Sequence, residues 1–118
     1  MKLNANNAGL ASEKIAKTFL VNQGLVLITN NYHCRYGEID LIMRDTSTLV
    51  FIEVRLRSNP NFGNAAASIT LQKQRKMIHT AQHYLQTNKI NMPCRFDALL
   101  LSKTDSTNIQ WIRNAFDA

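Results

Sequence analysis

At 118 residues the chain has the size of one packed domain, expected over residues 1–118. Its 14 Lys and Arg against 8 Asp and Glu give a formal net charge of +6, which favours a polyanionic partner, nucleic acid foremost. Cys34 and Cys94 stand far apart in no Cys-x-x-Cys or His/Cys ligand spacing, so neither a disulfide framework nor a zinc site is supported; both read as reduced core residues.

The first residues, Met1-Lys2-Leu3-Asn4-Ala5-Asn6-Asn7, lack the apolar run of a signal peptide, and no stretch approaches the length of a membrane span. The expected location is the cytoplasm, with no membrane association. Residues 8–23 read as a helix, with Ala11, Ile15, Ala16, Phe19 and Leu20 on one face and Gly24 as its stop. Glu13 falls at the rim of that face. Leu25-Val26-Leu27-Ile28 is a first strand ending in Asn30-Asn31.

Residues 38–44 and 49–56 are β-branched and apolar apart from a few charges, and Asp45-Thr46-Ser47-Thr48 between them is turn chemistry, which together spell a β-hairpin. Residues 58–64 have the composition of a loop and follow Glu53 and Arg55 closely, making them a candidate substrate-contacting segment. From Ser68 or Thr70 as N-cap, a second helix runs to about Thr87. Its buried stripe is Leu71, Met77, Ile78, Ala81, Tyr84 and Leu85, with Lys73 near one edge. Pro93 breaks the chain, and residues 96–101 and 109–112 read as closing strands, the last carrying Trp111 as a core residue. The order is α-β-β-β-α-β-β, an α/β fold with a mixed sheet flanked by helices.

The chemistry concentrates in the hairpin. If Thr46 and Ser47 form a two-residue loop, paired positions sum to 93 and Asp40 falls opposite Glu53. Alternation then puts Glu38, Asp40 and Ile42 on one face with Phe51, Glu53 and Arg55. Opposed Cβ atoms lie about 5 Å apart, so two ionised carboxylates would repel by roughly 3 kcal/mol at an effective dielectric of about 20. Two arrangements offset this. One is a divalent cation, magnesium being suited to one or two carboxylates, several waters and a phosphate. The other is an ionic network with Arg55 between the acids and no metal.

Positive charge gathers nearby: Arg55, Arg57, Lys73, Arg75, Lys76 and Lys89 lie between the acidic hairpin and the end of the second helix. Such an excess beside acids suits phosphate held near a metal. His79 and His83, spaced i, i+4, fit a solvated or half-buried helix face better than a zinc site. Asp97 lies between apolar neighbours on a strand, where a buried acid needs partners, whether structural or within the site.

These motifs carry a resemblance. Glu13, Gly37-Glu38-Ile39-Asp40-Leu41-Ile42, Phe51-Ile52-Glu53-Val54-Arg55, Gly63-Asn64-Ala65-Ala66-Ala67-Ser68 with Lys73 beyond it, and Arg95-Phe96-Asp97 stand in the order of the YraN family of small bacterial proteins. That family is similar to the PD-(D/E)XK nuclease superfamily and to archaeal Holliday junction resolvases. The resemblance implies a restriction-endonuclease-like fold and a magnesium- or manganese-dependent phosphodiester hydrolase of DNA. Asp40 and Glu53 would be the metal-binding acids, Glu13 an additional one, and Arg55 and Lys73 the cationic catalytic groups. Arg55, Arg57, Lys73 and Lys76 would face the nucleic acid.

One departure has chemical consequences. The superfamily position two residues after the second acid is lysine, and here it is Arg55, which stays protonated and cannot serve as a general base, although it can clamp a phosphate oxygen. The other function class is therefore a nucleic-acid-binding module of the same fold without cleavage. Symmetric cutting of a junction would further require a homodimer.

Overall fold

The computed structural model describes residues 3–57, 69–102 and 107–118, with backbone alone over 3–10. Seven elements follow in the expected order: α1 (Leu3–Asn22), β1 (Val26–Cys34), β2 (Gly37–Asp45), β3 (Thr48–Arg57), α2 (Leu71–Thr87), β4 (Cys94–Ser102) and β5 (Ile109–Phe116). The segments expected as a substrate-contacting loop at 58–64 and as a motif at 63–68, including Ser68 as an alternative cap, lie outside the described residues. Thr70 is the N-cap of α2, its hydroxyl accepting from the Lys73 amide at 3.1 Å.

All five strands form one sheet in chain order, β1-β2-β3-β4-β5. Every neighbouring pair is antiparallel except β3 and β4, which run parallel. The exception follows from α2, because a helix between two strands returns the chain to start the next in the same direction. The two helices cover opposite faces. Ala16 and Leu20 of α1 pack with Leu41, Met43, Val50, Ile52, Leu99 and Leu101. Met77, Ala81 and Tyr84 of α2 pack with Ile39, Ile42, Leu49, Phe51 and Phe96. Strands covered on both faces need apolar residues at successive positions, and Leu49, Val50, Phe51 and Ile52 are all buried. Each such side chain contributes about 1.5–3 kcal/mol on burial. This mixed sheet between two helices is a restriction-endonuclease-like core.

The hairpin turn is the expected one. Thr46, at φ 58°, and Ser47 close a two-residue loop, and pairs summing to 93 run from Asp45↔Thr48 to Leu41↔Ile52. There the ladder ends, so Asp40 and Glu53 are not a cross-strand pair. Instead Asp40 Oδ2 accepts a hydrogen bond from the Val54 amide at 2.7 Å, the carboxylate standing in for a backbone carbonyl. The even alternation expected of β2 slips at the same place: Ile39 and Ile42, three apart, both join the α2-side cluster while Leu41 joins the α1 side. On the neighbouring strand, Asn31 takes φ 51° between the pairs Asn30↔Leu41 and Tyr32↔Ile39. Asn tolerates that left-handed conformation, which is why β1 passes through Asn30-Asn31 to Cys34 where the sequence suggests a stop.

Three burial expectations are corrected. Leu71 is 60 % exposed, because the stripe through Tyr84, Ala81 and Met77 runs back to positions 74 and 73, not 71. Ala11 and Ile15 are exposed, since α1 meets the sheet along the narrow i, i+4 line of Ser12, Ala16 and Leu20. Cys94 is exposed and Cys34 half-buried, both unpaired, so neither belongs to the core. No helix among the described residues is long and apolar enough to cross a membrane.

Candidate functional site

Where β2 and β3 diverge past Leu41↔Ile52, an open pocket of about 310 Å³ lies between the helices. Its walls are Ser12 and Glu13 from α1, Glu38 and Asp40 from β2, Glu53 and Arg55 with their neighbours from β3, and Lys73 from α2. The slip at Asp40 and the irregular backbone at Asn31 turn the acid toward this space, while Glu53 arrives by ordinary alternation from Phe51.

Glu53 is 5 % exposed and compensated by two cations. Arg55 Nη1 sits 3.3 Å from Oε2, and Lys73 Nζ sits 3.8 Å from Oε1, so each carboxylate oxygen faces a different element's positive charge. Asp40 differs. Burial in the pocket wall pushes its carboxyl up to about 7, and the charge on Glu53 pushes the same way; the Val54 amide and, more weakly, Lys73 oppose the shift. The network expected with Arg55 between the two acids is thus only half realised, since Arg55 pairs with Glu53 and the hydrogen bond to Asp40 comes from the Val54 amide.

Glu13 is half-buried at the pocket rim, as its helix position implies. Burial raises its carboxyl, and a hydrogen bond from the Asn31 side chain acts against that. Glu38, expected on the face of Asp40, also lines the pocket, with Oε1 3.3 Å from His33 Nδ1. Among the described residues no group of three or more His, Cys, Asp and Glu is disposed to hold a metal. The expected three-acid set of Glu13, Asp40 and Glu53 does not form such a group, and the donors a metal would find in the pocket wall are the carboxylates of Asp40 and Glu53. That pair fits magnesium or manganese, hard cations that accept one or two carboxylates and complete their shell with water and phosphate oxygens.

The remaining cations are arranged outward from the pocket. Lys76 is exposed one turn along α2 from Lys73, and Arg57 is half-buried two positions beyond Arg55 near the end of β3. Asp97, on β4, belongs elsewhere. It is fully buried and accepts from Arg95 Nε at 3.1 and 3.2 Å, from Trp111 Nε1 at 3.0 Å and from the Asn114 amide at 3.0 Å. It is a structural acid, and Trp111, half-buried, packs edge-on against Phe19. Ser12 and Asn31 escape a reading of the sequence. Ser12 is in phase with Ala16 and Leu20, the one signal that foretold its burial.

The model of the uncharacterised protein family UPF0102 matches residues 12–101, a span that holds every pocket residue. A UPF0102 protein of Nitrosospira multiformis is 57 % identical over 109 residues, covering 92 % of both chains. One from Nitrosomonas europaea is 55 % identical over 113 residues, covering 96 % of each. Another, from Methylobacillus flagellatus, is 54 % identical over 107 residues, 91 % of this chain and 94 % of the relative. By the family match and by these relatives, covered nearly end to end, the chain belongs to UPF0102, the YraN family.

Proposed function

We propose that this protein is a magnesium- or manganese-dependent nuclease-like hydrolase that binds nucleic acid, DNA foremost, and cleaves its phosphodiester bonds. The observation that carries this reading is the convergence of Asp40 and Glu53 in one pocket with two cations, Arg55 and Lys73, from different elements.

Asp40 and Glu53 would hold the cation, with Glu13 at the rim as an additional acid. Bound there, the ion supplies Lewis acidity at a phosphate oxygen. Arg55 offers a planar donor fork that suits a non-bridging phosphate oxygen, but it carries no basicity at working pH. Lys73 brings an ammonium to Glu53 from α2, and this gives the pocket the amine that β3 lacks. Preorganised positive charge of this kind stabilises the negative charge that develops on phosphate. Arg57 and Lys76 continue the basic surface for the flanking backbone. Symmetric incision of a branched duplex would engage two copies of the chain.

Arg55 also supports a second reading, a binding module without turnover, because its guanidinium is already committed to Glu53 at 3.3 Å. Calorimetric titration of magnesium and manganese into wild type and Asp40→Ala, with and without a short DNA junction, separates the two. Metal uptake that vanishes in the variant and strengthens with DNA, followed by metal-dependent cleavage, supports the hydrolase. DNA affinity unchanged in the variant, with no metal uptake in either protein, refutes it in favour of the module.

A further inference from the structure

A second cluster of side chains sits on the same helix, outside the pocket. Arg35 and Tyr36 form the turn between β1 and β2, closed by the pair Cys34↔Gly37. That turn rests on α2: Gly37 has φ +151°, and a Cβ there would lie 3.4 Å from Thr80 Oγ1 and 3.6 Å from the Lys76 Cβ. The close approach brings Tyr36 against two helix residues, its ring 5.6 Å from that of His79 at 32° and 6.3 Å from that of His83 at 65°. His83 is itself fixed, its Nδ1 2.5 Å from the Tyr32 hydroxyl. Tyr36 is nonetheless 39 % exposed, held against the two imidazoles with the rest of its surface in water.

The surroundings are mainly basic, although Glu38 stands two positions along the chain, beside His33. Arg35 donates to the Tyr36 hydroxyl at 2.9 Å with its guanidinium 5.0 Å from the ring centroid. Helix α2 has Lys73, Arg75 and Lys76 and not one Asp or Glu in its 17 residues. At 1.5 Å per residue, His79 lies only about 9 Å along the axis from Lys73, which lines the acid pocket. An exposed aromatic on a rigid support, flanked by cations, is the combination that binds single strands. Phosphates follow the charge and bases stack on the ring.

We propose that Tyr36, with Arg35 beside it and Arg75 and Lys76 on the helix beneath, is a binding site for an unpaired stretch of nucleic acid, one base stacking at Tyr36 and the adjoining phosphates lying along α2 toward the pocket. The site deepens the nuclease reading, on which it rests for its purpose, by naming the substrate as nucleic acid with a single-stranded segment. A base inside an intact duplex has no free face to offer, so duplex gains nothing from Tyr36.

The test is fluorescence anisotropy with labelled oligothymidylate and, separately, a blunt duplex of equal length, both in chelator so that no metal enters the pocket. Tyr36→Ala should weaken oligothymidylate binding about fivefold or more and leave duplex binding unchanged, while Tyr36→Trp should restore it. Tyr36→Ala that binds oligothymidylate like wild type overturns the proposal, as does a correctly melting Tyr36→Trp that binds as poorly as alanine. Wild type that holds duplex and takes up metal but ignores oligothymidylate overturns it while leaving the pocket reading intact. Strand binding lost in Tyr36→Ala, in a protein whose pocket takes up no metal, supports the strand site and removes the nuclease.

Discussion

Replacing Asp40 with Asn should stabilise the metal-free protein above neutral pH and leave it nearly unchanged in acid. Burial and the Glu53 charge hold the Asp40 carboxyl at about 7 in the folded chain against an ordinary 3.8. A folded value above the unfolded one means the native state keeps a proton that the unfolded chain releases. The contribution of the neutral carboxyl is fully present below about pH 4 and is lost as pH rises through about 7. At about 1.4 kcal/mol per unit, the whole displacement amounts to about 4 kcal/mol. Asn stays neutral at every pH and still offers an oxygen to the Val54 amide at 2.7 Å. The variant's gain in urea melts should therefore be near zero at about pH 4 and climb to as much as about 4 kcal/mol above about pH 7.5. Magnesium should narrow the gap, stabilising wild type by about 2.7 kcal/mol at a hundredfold excess over its dissociation constant and the variant far less. A variant less stable than wild type at alkaline pH in chelator would refute the reasoning, because the ionised carboxylate would then be earning more from its contacts than its burial costs.

Three further outcomes follow from named contacts. Asp97→Ala strips the acceptor from Trp111 and the Asn114 amide and leaves the mostly buried Arg95 guanidinium with Asp45 alone, so it should cost about 3–5 kcal/mol in urea melts. Glu53→Gln removes the partner of both Arg55 and Lys73; calorimetry should find metal uptake abolished, and anisotropy should find DNA binding in chelator kept or tightened. Gly37→Ala forces a Cβ to 3.4 Å from Thr80 at φ +151° and should lower stability by about 1–3 kcal/mol in a thermal melt.

Most of the frame was legible because period and punctuation agree. The alternation around Thr46-Ser47 set the hairpin and its register down to Leu41↔Ile52, and the helical stripe of Met77, Ala81 and Tyr84 set the face of α2. What stayed hidden depends on departures from period. Asn30-Asn31 has the composition of a turn, and only the partner strand makes it a left-handed kink within β1. The same kink decides where Asp40 points, so spacing alone brought Asp40 and Glu53 together but gave them the wrong relation. Lys73 near Glu53 was visible as an edge residue of a helix. Its reach into the pocket required knowing that α2 lies against β2, beside the strand that carries Glu53.

Charge is segregated in this molecule in a way that links its two proposed ligands. The chain carries +6 overall, yet the pocket wall gathers Glu13, Glu38, Asp40 and Glu53 against only Arg55 and Lys73. Basic residues on α2 draw a polyanion toward a spot whose own acids repel it, and the conflict is greatest at Asp40, whose carboxyl is pushed up to about 7. Two agents relieve it: a proton, which Asp40 keeps up to about pH 7, or a divalent ion. Under the proposed function the second relieves it more completely, by neutralising both acids and adding positive charge where phosphate must sit. Metal and nucleic acid should therefore bind with positive coupling, and by linkage each must tighten the other by the same factor. Since protons compete with the metal for Asp40, that shared factor should shrink as pH falls below about 7.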